Sequence, residues 1–207
     1  MFIPSKFKVK DNEQIIHFLQ DNLFGTLVVN GKSGFPSAVH IPFNCLIEGG
    51  KTFLVFHVDN QNEIIQAIDS VQKGKLIVIG NHGYISSAVY SHINAPTYNY
   101  EAAHASGFIT KLTRVELVKH LADLVAVFEK GRETPLTMEY WSTDFMEANL
   151  QLITGYKLEV ESIECAFKLS QNRNDVDHER IVEDLSKGNS REQALAESMK
   201  INRNKRS

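Results

Sequence analysis

Cysteine is almost missing. The 207-residue chain has two, Cys45 and Cys165, 120 positions apart. Neither has a CxxC or Cys/His neighbour at ligand spacing, which argues against a zinc-binding framework. Long apolar runs are missing as well. None approaches the ~20 residues a membrane helix needs, and the opening Met1-Phe-Ile-Pro-Ser-Lys6 lacks the apolar core of a secretory leader. The expected address is therefore a reducing cytoplasm, with no membrane partner. No strong excess of one charge exists. With 22 basic and 25 acidic residues the net charge is -3, so no whole-molecule field draws the chain to DNA or lipid. The imbalance is local. The last eight residues hold four cations and no acid, leaving 18 basic against 25 acidic residues in the body. GxGxxG, HExxH and GxSxG are absent, as are internal repeats, Pro/Ser linkers and a clear helix-turn-helix pattern. Gly25 to Ser33 approximates a P-loop, but five residues separate the glycines where four are needed. A β-branched strand fills that gap, so its amides would not converge on a phosphate.

What is present is an ordinary globular composition, 43% hydrophobic and 23% charged, long enough to bury a core without staples. Short apolar, β-branched runs separated by turn residues predict strands over 23–30, 35–42, 44–47, 52–58, 75–79, 84–90, 103–111 and 156–169. Gly31-Lys-Ser-Gly34 reads as a hairpin turn and Asn81-His-Gly83 as another. Helices are expected from Asp11, from Asn60 (with Glu63 completing a capping box), from Thr113 (with Glu116) to Gly131, and from Ser142 to Ile153, closing at Gly155. Many short strands with few helices between them do not build βαβ units. The expectation is a mainly β, α+β fold: a closed or nearly closed antiparallel barrel over residues 1–170 with inserted helices. A helical extension over 171–207, with a basic tail, belongs to the same domain.

Four segments carry more polar and aromatic groups than strands and turns need. Ser37 to Pro42 presents His40 on an apolar strand, the bland alternative being a half-buried strand with an edge proline. His57 to Asn62 leads into a helix start, where amides and asparagines favour an anion, although Asn60 could simply cap the helix. Tyr84, Tyr90, Tyr98 and Tyr100 could wall a planar pocket, or pack as ordinary sheet aromatics. Lys168-Leu-Ser-Gln-Asn-Arg173 packs two cations and three neutral hydrogen-bonding side chains into six positions. Eight histidines invite a metal reading. His40 and His57 fall on strands and His82, His92 and His104 near strand ends, yet no pair has the i, i+4 spacing of a helical ligand pair, so no metal site is assigned.

Taken together, Met1-Phe-Ile-Pro4, Phe24-Gly-Thr-Leu27, His40-Ile-Pro42, His82 to Ser86, Pro96-Thr-Tyr-Asn-Tyr100 and Lys168 to Arg173 occur in an order that resembles the PaiB-type family over about residues 1–199. That family is described as FMN-binding negative transcriptional regulators. The resemblance implies a split β-barrel of the flavin-reductase and pyridoxamine-phosphate-oxidase type, a homodimer with FMN at the subunit interface. By position, Val39, His40 and Ile41 would line the flavin edge. His57, Asn60 and Asn62 would reach the ribityl chain or phosphate. Lys168, Ser170 and Arg173 would add phosphate or interface contacts. Tyr84 and Tyr98 would stand in the ring wall, which is smaller here: Ser87, Val89 and Tyr98 occupy positions where family members often carry Pro, Trp and Trp. DNA is a partner only through the resemblance. The competing expectations are a flavin-dependent oxidoreductase, for which no catalytic residue is identified, and a haem-binding split barrel using His40 or His104.

Overall fold

Six strands form among the described residues, β1 with strict alternation between interior and solvent and β2, β3 and β6 with runs buried on both faces: β1 (Phe24–Asn30), β2 (Pro36–Glu48), β3 (Lys51–Asp59), β4 (Lys73–Ile85), β5 (Thr97–Lys111) and β6 (Ile153–Lys168). They close a barrel in the order β1-β2-β3-β6-β5-β4. The computed structural model describes residues 1–31 and 34–204. Lys32 and Ser33 of the expected hairpin turn lie outside them, but the flanking strands pair antiparallel in register from Phe24↔Pro42 to Asn30↔Pro36. Among the described residues six α-helices accompany the strands: α1 (Asn12–Asp21), α2 (Ile64–Val71), α3 (Arg114–Glu129), α4 (Thr143–Leu150), α5 (Asp175–Ser186) and α6 (Ser190–Asn204). The fold is mixed α+β and mainly β, as expected.

The chain groups into two compact units. One comprises Met1–Phe18, Ile79–His104 and Glu164–Ser207; the other Leu19–Val78 and Ala105–Ile163. In the second unit Leu27, Phe43, Leu54, Phe56, Leu76 and Leu158 are fully buried barrel residues. Beside them Leu117 and Leu121 of α3 and Leu150 of α4 form a small cluster with Leu112, Met138 and Met146. In the first unit the core is Phe7, Phe18, Ile85, Ala103, Phe167 and Leu169 with Ile181 and Leu185 of α5 and Leu195 and Met199 of α6.

Three expectations need correction. Residues 75–90 do not form a strand pair about Asn81-His-Gly83; β4 runs straight through these residues. Asn81 and Gly83 serve helix packing instead. Asn81 Nδ2 donates to Ser198 Oγ of α6 at 2.9 Å, and a Cβ on Gly83 would meet Leu195 Cδ2 at 2.9 Å. Gly155 does not close α4 but lies buried in β6, where a Cβ would come within 2.8 Å of Leu112 and Leu117. Asn60 is no helix cap. Asn62 Oδ1 accepts from Ile64 N at 3.0 Å at the start of α2. The capping box at α3 is as expected, with Thr113 and Glu116 satisfying each other's backbone N–H.

Candidate functional site

In the unit holding β1 to β3, pleating separates the expected ring-edge residues. Ile41 is buried and Val39 half-buried, opposite Gly25 and Leu27; His40 turns to the other face, opposite Thr26. There Thr26 Oγ1 and His40 Nδ1 are 2.9 Å apart, and the Phe24 ring lies 6.4 Å from the imidazole. Only His40 of the three offers its side chain outward, and Phe24, 61% exposed, adds an apolar group to that face.

His57 on β3 is half-buried and engaged internally. Its Nδ1 lies 3.1 Å from Nε2 of His120 on α3, whose Nδ1 bonds Asn44 Oδ1 of β2. With the amide oxygen as acceptor, His120 carries its proton on Nδ1 and receives one from His57, so both rings are neutral. Burial pushes His120 down to about 4, His57 adds to this, and Asp123 opposes it; burial also lowers His57. His120 was missed in the sequence. Its signal was its place three residues after Leu117, inside the buried stripe Leu117, Leu121, Leu124.

Asn60 and Asn62 are likewise committed to their own chain. Asn60 Nδ2 donates to Gln151 O at 2.7 Å and its Oδ1 accepts from Thr154 Oγ1 at 2.6 Å. The backbone N–H groups of Ile64, Ile65 and Gln66, at the start of α2, already bond Asn62 Oδ1, Asn62 O and Glu63 O.

The other unit differs. Tyr98 at the start of β5 is exposed, its ring stacked on His82 at 5.8 Å with the hydroxyl 3.0 Å from Nδ1. Tyr84, two residues beyond His82 on β4, is 57% exposed. Lys168 ends β6 and donates from Nζ to Tyr98 O at 2.9 Å and to Thr97 Oγ1. Its pKa is lowered by burial, then by the positive charges of Arg173 and Lys6. Arg173 lies over the buried Tyr90 ring, 4.9 Å from its centroid. Among the described residues neither Lys168 nor Arg173 forms an ion pair with a carboxylate. Ser170 holds the turn between them. It is buried, sits at φ 57°, and shares hydrogen bonds with both amide atoms of Asn99 at 2.9 and 3.2 Å. It positions the cations and offers no free hydroxyl.

This donor set fits FMN. A cation repelled by its like-charged neighbours favours an incoming anion such as a phosphate monoester, and exposed aromatic rings beside it suit a flat apolar ring.

Comparison with known proteins agrees with this chemistry. A family model described as "Putative FMN-binding domain" matches residues 1–162. The protease synthase and sporulation protein PAI 2 of Bacillus subtilis (strain 168) is 36% identical over 185 residues, 89% of each chain. Among solved structures, an FAD and haem binding protein from Mycobacterium smegmatis superposes with a TM-score of 0.60 at 16% identity, over 78% of this chain and 73% of that one. A conserved hypothetical protein from Mycobacterium tuberculosis gives 0.59 at 10% identity, over 84% and 94%. At such low identity these two likenesses speak to the barrel alone.

Proposed function

The chain belongs to the PaiB-type FMN-binding family, and from that premise we propose that it works as a cytoplasmic FMN-binding homodimer with a negative regulatory role in transcription. The observation that carries the ligand assignment is the pair Lys168 and Arg173, two cations on one turn with neutral partners only. Lys168 spends two of its donors on Thr97 and Tyr98 and keeps the third for a phosphate oxygen. Arg173, steadied on Tyr90, presents its planar fork for a bidentate contact. Tyr98, Tyr84 and His82 supply aromatic surface for the ring. Bound FMN would supply a redox-active isoalloxazine; the residues named here hold and orient it. For self-association the support is the outward face of β1 and β2, where Phe24 is exposed next to Thr26 and His40. Regulation of transcription rests on the family, and DNA is the partner it implies.

The test is the absorption spectrum of the freshly purified protein, taken with its mass in solution and followed by FMN titration. Flavin bands, quenching of added FMN and a dimeric mass are expected. A colourless monomer that leaves FMN fluorescence unchanged removes the reading. DNA binding is measured against upstream sequences across a salt series, where a specific interaction survives salt that abolishes non-specific contact. Bleaching of the flavin by NADH, with no DNA bound, would replace the regulator with an oxidoreductase.

A further inference from the structure

The matched family region ends at residue 162, yet the cation-bearing turn and the helices behind it follow that point. Arg203, near the end of α6, reaches back to this turn. Its Nη1 donates to Arg173 O at 3.1 Å and to Gln171 O at 3.4 Å, while Nη2 pairs with the carboxylate of Asp175. Both contacts matter to an anion. The turn carries a left-handed Ser170 at φ 57°, a conformation a non-glycine residue keeps only when its surroundings impose it. Asn99 grips its hydroxyl from β5, Gln171 folds back onto Phe167 O, and Arg203 holds the carbonyls on the far side. Asp175 stands two residues after Arg173 and its side chain is 83% exposed. Released, its carboxylate could turn to the cations and neutralise them.

We propose that Arg203 is a positioning residue for the anion seat: it fixes the carbonyls of the Lys168–Arg173 turn and keeps Asp175 from competing with the ligand phosphate. This assignment rests on the FMN reading above.

The test compares FMN with riboflavin, which lacks the phosphate, by fluorescence quenching. The full chain is used as wild type, Arg203→Ala, Arg203→Lys and the double variant Arg203→Ala/Asp175→Asn, each checked by thermal melting. Wild type should prefer FMN. Arg203→Ala should weaken FMN about tenfold, the size of a lost charge-assisted contact, and leave riboflavin unchanged. Arg203→Lys should fall between the two. Replacing Asp175 in the Ala background should recover part of the FMN affinity, which a loss of fold could not do. In the ligand-free protein, amide exchange at Gln171 to Arg173 should quicken in Arg203→Ala. A wild type that prefers FMN together with an Arg203→Ala variant of equal affinity, or a double variant no better than the single, overturns this assignment alone. A wild type that binds FMN and riboflavin alike, or neither, overturns the phosphate seat along with it.

Discussion

The strand-to-helix turn at residues 57–62 and the turn at residues 168–173 look alike as sequence: both are short, polar and placed after a strand. In the structure they differ in what their polar groups do. At the first, His57, Asn60 and Asn62 bond to His120, Gln151, Thr154 and Ile64 of the same chain. Every one of these contacts is neutral and satisfied. At the second, Ser170 and Gln171 are spent on holding the turn, but Lys168 and Arg173 are left with uncompensated charge. A rich supply of hydrogen-bonding side chains therefore does not mark a site by itself. Charge that the fold leaves unbalanced is the stronger pointer, because a partly buried cation gains most from an anion the chain does not provide.

The largest effect should come from the second turn. Replacing Lys168 and Arg173 together by alanine should weaken FMN by at least about 100-fold, through loss of the charge-assisted hydrogen bonds of both cations. Riboflavin should be unaffected, and paired titrations check this. Equal losses for both ligands would mean that the turn holds the ring region instead of the phosphate.

The next effect belongs to the first region and concerns stability. His120 is native as a neutral ring near pKa 4, whereas the unfolded chain takes up its proton near 6.5. Its contribution is complete above about pH 6.5 and is lost as the pH falls towards about 4, a difference of up to about 3 kcal/mol. Urea unfolding of wild type and His120→Gln across this range measures it as the gap between the two profiles. Profiles that stay parallel would show that the buried imidazole is not what acid attacks.

The smallest effect sharpens the contrast. Asn60→Ala and Asn62→Ala should each cost about 1 kcal/mol in stability, as lost tie and lost cap. Neither should change the FMN dissociation constant. A tenfold loss of FMN affinity with stability intact would move the phosphate to the start of α2 and reverse the comparison.

Much of the architecture was legible locally. The β-branched run 23–30, the Thr113/Glu116 box and the stripe Leu117, Leu121, Leu124 and Phe128 each obey a short-range rule; the strand forms from Phe24, the box forms, and the stripe is buried except at Phe128. The site was legible in part. Lys168 and Arg173 stood out as cations on one turn, while the Ser170 hydroxyl beside them bonds Asn99 of the same chain. Asn81 and Gly83 were misread as a turn because their composition is that of a turn. Their role is set by Ser198 and Leu195, more than a hundred residues away in the chain.

Residue order alone determined the alternation of β1, the Thr113/Glu116 cap and the cluster of cations after the last strand, because each depends on neighbours a few positions apart, and it determined the family through the order of its motifs. Only the tertiary structure decided that His120 would complete His57, that Asn60 would be consumed by Gln151 and Thr154, and that Arg203 would lock the turn of Lys168 and Arg173. The physical reason is common to all three. A polar side chain pairs with whatever group packing brings beside it, and that distance in sequence is not encoded in any local spacing.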